Sequence, residues 1–131
     1  MWGVSFSEDG HSLVSCSDDR SVVLWHDAKG DLSFQKAASV EEVHARAIYT
    51  IDWQKSAGGV IVTGGADDAI CVLEAKVGGA EPSLTLVSKV AKAHAGDVNL
   101  VAWGAAERGD GLLASAGDDG AIRLWRRVGG A

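Results

Sequence analysis

The chain has 131 residues, which is room for one domain of ordinary size, and its 47% hydrophobic content excludes a globally disordered protein. A net charge of −6 argues against a nucleic-acid-binding surface, which is normally basic. No apolar run approaches the roughly 18 residues of a membrane span, and no signal-peptide pattern opens the chain. We therefore expect a soluble intracellular protein that binds neither nucleic acid nor membrane.

Short β-rich runs separated by turns follow one another along the chain. The first unit starts in a strand at "WGVSF" and continues with runs that end at Cys16 and Trp25 and a weaker run over 34–40. Similar runs follow from 48 to 90 and again from 98 to 125. Seventeen glycines against one proline favour tight turns over long helices. The one segment with helical potential, "VEEVHARA", is interpreted as a loop, so we predict an all-β fold.

An internal repeat with a period near 50 residues organises these strands. His44 and His94 lie 50 positions apart, and so do Trp53 and Trp103. The period exceeds the roughly 40 to 45 residues of a four-stranded propeller blade. We attribute the surplus to insertions such as "KVGGAEPS" and "GAAERGDG". The chain then divides into three units, at approximately residues 1–40, 41–90 and 91–131.

Each unit carries an Asp-Asp pair in the turn before its third strand, in "SCSDDRSVVLW", "GGADDAICVLE" and "SAGDDGAIRLW". A pair that recurs in three units is typical of a structural repeat rather than of one active site. With a His before the first strand, a small hydroxyl residue in the second and a Trp that ends the third, the pattern resembles the WD repeat. That resemblance implies a partial WD-repeat β-propeller, in which about three four-stranded antiparallel blades form an open arc.

The resemblance also implies a hydrogen-bonded ladder in each blade, formed by the His, the hydroxyl residue, the second Asp of the pair and the Trp. Chemically the set is consistent, because an indole N–H needs an acceptor, a hydroxyl accepts and donates, and a carboxylate can hold an imidazole. In the middle unit Leu73 replaces the Trp and the turn is interpreted as one residue shorter, while the His of the first unit would precede Met1. The predicted ladder residues are His94, Ser115, Asp119 and Trp125 in the third unit, Ser15, Asp19 and Trp25 in the first, and His44 and Asp68 in the middle one.

The loops between blades and the turns that carry the Asp pairs share one face of a propeller, which we predict as the partner-binding face. The arginines are its sharpest candidates, because a guanidinium makes bidentate contacts and is enriched at interfaces. Its predicted members are Arg20, Arg46, Asp18, Asp67, Asp97 and Asp118.

No catalytic, cofactor or metal site is predicted. Cys16 and Cys71 fall in apolar strand-like runs, where cysteine usually acts as a small buried hydrophobe. Two thiols cannot supply the four ligands of a usual iron–sulfur cluster, so we do not expect this chain to hold one.

An ordered series of motifs carries a closer resemblance over nearly the whole chain. "SCSDDRSVVLW", "HARAIYTIDW", "GADDAICVL", "AHAGDVNLVAW" and "GLLASAGDDGAIRLW" together resemble the C-terminal blades of the cytosolic iron–sulfur assembly WD-repeat proteins (the Cia/CIAO family). The resemblance implies a non-enzymatic adaptor of the targeting complex, which delivers clusters to apoproteins with a HEAT-repeat protein and a small α/β protein as partners. It implies a cytoplasmic location, with the nucleus as a second one.

Two other interpretations stay open at the level of the sequence. One is a WD-repeat scaffold of another assembly, such as a ubiquitin-ligase receptor or a chromatin adaptor. The other is a truncated fragment without independent function, since no fourth strand follows "IRLWRRVGGA" and no His loop precedes "MWGVSF". An open arc exposes terminal blade faces and strand edges, so we also expect the isolated chain to self-associate.

Overall fold

The computed structural model describes residues 2–55, 59–77, 82–104 and 111–126, which contain eleven β-strands. No helix in these ranges is long and apolar enough to span a membrane. The strands have four to eight residues each, as expected for short apolar runs between tight turns. In chain order they are β1 (Gly3–Phe6), β2 (Ser12–Cys16), β3 (Val22–His26), β4 (Gln35–Val40), β5 (Ile48–Trp53), β6 (Val60–Gly65), β7 (Ile70–Lys76), β8 (Ser83–Val90), β9 (Val98–Trp103), β10 (Leu112–Gly117) and β11 (Ile122–Arg126).

Consecutive strands pair antiparallel and build three separate sheets. β1 to β4 form blade 1, β5 to β8 form blade 2, and β9 to β11 form blade 3, each in sequence order. The prediction of an all-β fold with an open arc of blades is confirmed. "VEEVHARA" has no helical turn, because β4 ends at Val40 and a loop leads from there into β5. The prediction that no fourth strand follows "IRLWRRVGGA" concerns the end of the chain, which lies outside the described residues, and so does most of the "GAAERGDG" insertion.

Blade 2 lies between the other two blades and shares a hydrophobic core with each. Leu24 of blade 1 and Cys71 of blade 2 belong to one core, and Ile70 of blade 2 and Val101 of blade 3 belong to the other. All four side chains are at most 3% exposed. Ile70 and Cys71 are neighbours on β7, and they reach different cores because successive side chains of a strand point to opposite faces.

The first strands of the three blades lie side by side and are joined by hydrogen bonds from backbone to side chain. Ser5 Oγ accepts the N–H of Trp53 at 3.0 Å, and the Asp52 carboxylate accepts the N–H of Trp103 at 2.7 Å. Ser5 and Asp52 occupy the same position in β1 and β5, so one type of contact sets the spacing of both junctions. The corresponding residue of β9 is Ala102, whose side chain has no acceptor.

Candidate functional site

In blade 3 the four predicted residues form a continuous chain of hydrogen bonds. Trp125 Nε1 donates to Ser115 Oγ at 2.9 Å, and this hydroxyl lies 2.7 Å from Nε2 of His94. Nδ1 of His94 lies 3.0 Å from the Asp119 carboxylate. An indole only donates and an ionised carboxylate only accepts, so we assign the Ser115 proton to the bond with Nε2 and the imidazole proton to Nδ1. Asp119 also accepts the N–H of Ala95 at 2.9 Å, which ties the loop between blades to the turn.

Blade 2 has the same arrangement, with a correction to the prediction. His44 is 1% exposed, and its Nδ1 lies 2.8 Å from Asp67, not Asp68. Its Nε2 lies 2.7 Å from the hydroxyl of Thr63, and Leu73 stands where the other blades have Trp. The assignment of Asp68 to the ladder is therefore wrong. Asp67, which is also predicted for the partner-binding face, has a side chain that is 8% exposed and is engaged with the imidazole of His44.

The spacing along the chain explains this correction. The turn of blade 2 is not one residue shorter than the others; its Asp-Asp pair is shifted by one position. Asp68 (φ 66°) takes the left-handed position that Arg20 (φ 71°) and Gly120 (φ 77°) take in the other turns, a conformation that Asp tolerates better than most residues. Strand register aligns the three blades residue by residue. The equivalent residues are Ser15, Thr63 and Ser115 in the second strands, Asp19, Asp67 and Asp119 in the turns, and Trp25, Leu73 and Trp125 in the third strands.

In blade 1 a serine contacts the carboxylate where the other blades place an imidazole. Asp19 accepts hydrogen bonds from the hydroxyl of Ser17 and from the hydroxyl of Ser21, the latter at 2.6 Å. Trp25 Nε1 donates to Ser15 Oγ at 3.0 Å, as its counterpart does in blade 3. No imidazole contacts Asp19 within the described ranges, so this ladder consists of two separate parts.

The position of Ser17 holds glycine in the two blades that have an imidazole in the ladder. Gly65 and Gly117 are its equivalents in the other two blades. A Cβ on Gly117 would lie 2.7 Å from Nδ1 of His94, and a Cβ on Gly65 would lie 3.2 Å from Nδ1 of His44. A side chain at Gly117 would therefore collide with the imidazole of His94, whereas the atom nearest to a Cβ on Gly65 is the carbonyl oxygen of Ala47, at 2.6 Å. In blade 1 this position holds Ser17, and no imidazole lies beside it among the described residues.

Hydrogen bonding holds the ladder carboxylates in the ionised form. Two backbone N–H groups and the imidazole of His94 lower the pKa of Asp119 to about 2. Burial acts to raise the pKa of Asp67, but the hydrogen bond from His44 and backbone N–H groups outweigh it and lower the value to about 2. Burial lowers the pKa of His44 below its ordinary value, against the opposing effect of Asp67. The pair in blade 2 is thus a neutral imidazole bound to a carboxylate, which fits a structural role.

Arg20 and Arg46 are exposed on the predicted partner-binding face. Arg20 lies in the turn between β2 and β3, and its carbonyl accepts the N–H of Val43 at 2.9 Å. This bond holds the turn against the loop that carries Arg46. Among the residues that the structure describes, neither guanidinium has a hydrogen-bonded or ion-paired partner.

The remaining acidic residues predicted for this face have local partners. Asp18 and Asp118 are exposed, but Asp18 accepts a hydrogen bond from Trp2 Nε1 and Asp118 accepts one from Asn99 Nδ2 at 2.6 Å. Asp97 is half-buried, and its carbonyl accepts the N–H of Asp118 at 2.9 Å. Asp18 and Asp118 therefore order the rim of the face.

Sequence reasoning missed an aromatic pair on this face. Trp2 is 57% exposed and meets Tyr49 edge to face, with ring centroids 5.7 Å apart and an interplanar angle of 86°. Trp2, Tyr49 and Asn99 stand at equivalent positions: Tyr49 lies in β5, Asn99 lies in β9, and Trp2 directly precedes β1. An alignment of "MWGVSF" with "IYTIDW" would have placed the two rings in neighbouring blades. Trp and Tyr are enriched at protein interfaces, so the pair belongs to the candidate site.

The two cysteines are buried free thiols. Burial raises the pKa of Cys16 to about 11 and that of Cys71 to about 12. The protonated form thus predominates at neutral pH, as expected for cysteines that pack as small buried hydrophobes. In the part of the chain that the structure describes, no group of three or more His, Cys, Asp or Glu side chains is placed to hold a metal ion.

A comparison with protein families agrees with this geometry. The family model "WD domain, G-beta repeat" (WD40) matches residues 1–26 and 85–126. This chain belongs to the WD40 family. The unmatched residues between these segments include most of blade 2, in which Leu73 replaces the Trp of the other blades.

This WD40 chain is also similar to curated proteins named for cytosolic iron–sulfur assembly. It is 31% identical to "Probable cytosolic iron-sulfur protein assembly protein Ciao1" of Aedes aegypti, over 96% of the chain and 40% of that protein. It is 34% identical to the CIAO1 homolog of Chlamydomonas reinhardtii, over 95% of this chain and 41% of that protein. It is 38% identical to CIAO1 of Bos taurus, over 73% of this chain and 28% of that protein. The chain thus spans about 40% of the length of the first two relatives.

Proposed function

We propose that this WD40 chain acts as a non-enzymatic adaptor in cytosolic iron–sulfur protein assembly and docks the apoproteins that receive clusters. The observation that carries the proposal is the similarity, over nearly the whole chain, to proteins named for this process. The same similarity favours this function over that of a WD-repeat scaffold of ubiquitin-ligase or chromatin type.

The docking surface in this proposal is the face that carries Arg20 and Arg46. Their exposed guanidinium groups offer donors in a fixed planar geometry that matches the carboxylates of a protein partner. The exposed ring of Trp2, held against Tyr49, adds apolar contact beside them. Trp, Tyr and Arg are the residue types that contribute most of the binding energy at protein interfaces.

The partners are the HEAT-repeat and small α/β subunits of the targeting complex and its apoprotein clients, as the family resemblance implies. The place of action is the cytosol, which the names of the relatives state, and nothing in those names supports a nuclear pool. An iron–sulfur cluster is cargo of these partners in this proposal, because the two thiols of the chain are too few for the four ligands of a usual cluster.

Affinity purification of the C-terminally tagged chain from its native source, with partners identified by mass spectrometry, tests the proposal. We expect iron–sulfur assembly proteins, and we expect Arg20→Ala with Arg46→Ala to reduce their recovery about tenfold or more. The matched control is Lys36→Ala, which removes an exposed charge from β4 and should leave recovery unchanged. Recovery of ubiquitin-ligase or chromatin subunits instead, or of no partner, would contradict the proposed function. An equal loss in the control would contradict the choice of face.

A further inference from the structure

A polar cleft of about 370 Å³ lies on blade 1, at the end of the strands opposite to the ladder. One wall is the turn between β1 and β2, and the other is the connection between β3 and β4. Neither the ladder nor the partner-binding face includes any residue of this cleft. The ionisable side chains that line it are Asp9, His11, His26, Asp27 and Lys29.

The carboxylate of Asp27 orders the longer wall. Asp27 is 4% exposed, and its two oxygens accept the N–H groups of Gly30, Asp31 and Leu32 at 3.0 to 3.2 Å. Its own N–H donates to the carbonyl of His11 at 2.9 Å, which ties the two walls together. Both oxygens of this carboxylate are therefore engaged within the blade, and the wall is fixed without a ligand.

The carboxylate of Asp9 orders the shorter wall. One of its oxygens accepts the N–H of His11 at 2.9 Å and the hydroxyl of Ser7 at 2.8 Å. These two hydrogen bonds lower the pKa of Asp9 below its ordinary value, so the group is ionised at neutral pH and acts only as an acceptor. Its charge lies near the imidazoles of His11 and His26.

A buried serine fixes the donor that His26 presents to the cleft. Ser12 is 0% exposed, and its hydroxyl lies 2.7 Å from Nδ1 of His26, the one partner of that hydroxyl within the described ranges. A buried hydroxyl proton needs an acceptor, so we assign this proton to the bond with Nδ1. The neutral ring then carries its own proton on Nε2, which is the nitrogen left for the cleft.

The groups that the cleft leaves free are mainly donors. His11 and Lys29 are exposed, and neither side chain has a hydrogen-bonded or ion-paired partner among the residues that the structure describes. With Nε2 of His26 they supply three nitrogen donors, which match the three terminal oxygens of a phosphate group. A metal ion is the less suitable ligand, because no group of three His, Cys, Asp or Glu side chains is placed to hold one in the described ranges. We propose that this cleft binds a phosphate group, either as the free ion or as a phosphomonoester.

Binding in this cleft should depend on pH, because charges of both signs line it. Asp9 and Asp27 oppose an anion, and Lys29 attracts one. Histidine is the side chain that changes charge between about pH 5 and 8, so protonation of His11 and His26 adds positive charge as the pH falls. Sulfate isolates this effect, since its own charge is constant in that range. We expect the affinity for sulfate to rise about fivefold or more from pH 7.5 to pH 5.5.

Titration of residues 1–131 with inorganic phosphate at constant ionic strength, followed by nuclear magnetic resonance of the histidine rings, tests the proposal. We expect saturable shifts of the His11 and His26 signals in the millimolar range. The buried rings of His44 and His94 are internal controls and should not shift. Lys29→Gln should weaken binding about fivefold or more, and the matched control Lys36→Gln, at an exposed position of β4, should leave it unchanged.

A second titration with O-phosphoserine identifies the source of the phosphate group. Tighter binding than that of inorganic phosphate supports the proposal and indicates a phosphomonoester, and weaker binding supports it and indicates the free ion. Shifts that do not saturate, or an equal loss in both lysine variants, would overturn the proposal. Saturable binding of Zn²⁺ without binding of phosphate would also overturn it, and an affinity for sulfate that is independent of pH would remove the imidazoles from the site. None of these outcomes bears on the adaptor function.

Discussion

Asp67 is the residue on which the ladder of blade 2 depends. Besides the bond from His44, its carboxylate accepts the N–H of Ala45 at 2.8 Å and lies 3.3 Å from Lys89 Nζ. We expect Asp67→Asn to lower the free energy of unfolding by about 1–3 kcal/mol, because it weakens the partner of a buried imidazole. Asp68→Asn is the matched control and should change it by less than about 0.5 kcal/mol. Chemical denaturation measures both, and equal effects would contradict the assignment of Asp67.

The protonation of His44 should make stability depend on pH just below neutrality. Burial lowers its pKa in the folded state, so below the ordinary value of about 6.5 the unfolded chain binds more protons than the folded one. The free energy of unfolding should therefore fall as the pH drops from 7.5 to 5.5. Thermal melts across this range should show a shallower pH dependence for His44→Gln than for His11→Gln, which changes an exposed imidazole. The same slope in both variants would contradict the buried neutral state.

The ladder carboxylates should add a second loss of stability at lower pH. Asp67 and Asp119 have pKa values of about 2, below the usual 3.8, so their contribution is present above about pH 4 and is lost as the pH falls toward 2.

The sequence alone identified Asp19 and Asp119 because a Trp six residues later marks the end of each third strand. In blade 2 Leu73 removes that landmark, so an alignment of the turns on the Asp-Asp pair alone points to Asp68. The hydroxyl residue of the second strand gives the correct alignment, because Thr63 precedes Asp67 by four positions, as the ladder serines precede Asp19 and Asp119 in the other blades. Which of two adjacent carboxylates meets the imidazole depends on strand register, and composition carries no information about register.

At the scale of the element, the end of β10 has to leave room for the imidazole ring. We expect Gly117→Ala to lower the free energy of unfolding by about 1–3 kcal/mol, because the new Cβ would lie 2.7 Å from Nδ1 and 2.8 Å from Cγ of His94. Ser17→Ala acts at the same position in blade 1 and should cost about 1 kcal/mol, the usual value of a lost hydrogen bond. Chemical denaturation gives both values. An unchanged Gly117→Ala variant would show that the ring can move aside at no cost.

The strands themselves could be predicted because their apolar runs are bounded by turn residues. The fourth strands were weaker in the sequence, yet β4 and β8 lie within one residue of the predicted runs at 34–40 and 84–90. The contact between Gly117 and His94 could not be predicted, since it joins the end of one strand to a loop 23 residues earlier. Only the folded path of the chain brings them together.

At the scale of the whole molecule, Asp52 connects blade 2 to blade 3. Its carboxylate accepts the N–H of Trp103, and its carbonyl accepts Nε1 of the same residue at 3.1 Å. We expect Asp52→Ala to cost about 1.5–3 kcal/mol, the value of a hydrogen bond to a charged group, and to let blade 3 unfold before the rest. Tryptophan fluorescence and far-ultraviolet circular dichroism should then give separate transitions. Coincident transitions at the midpoint of the parent protein would contradict this role. The control is Glu8→Ala, which removes an exposed acid outside the strands and should unfold like the parent.

The number of blades can be read from the period of the repeat, and the general geometry of a propeller predicts one face for Arg20 and Arg46. The aromatic contact on that face could not be predicted in this way. The ring pair of Trp2 and Tyr49 required knowing that β1 and β5 are neighbours in space, although 47 residues separate the two side chains in the chain.

The close approach at Gly117 also limits how this repeat can change over time. While His94 is in place, a mutation of Gly117 to serine would put a Cβ 2.7 Å from Nδ1, so a change at one of the two positions should be accepted only together with a change at the other. Two residues that lie 23 positions apart in the chain should therefore vary as a pair.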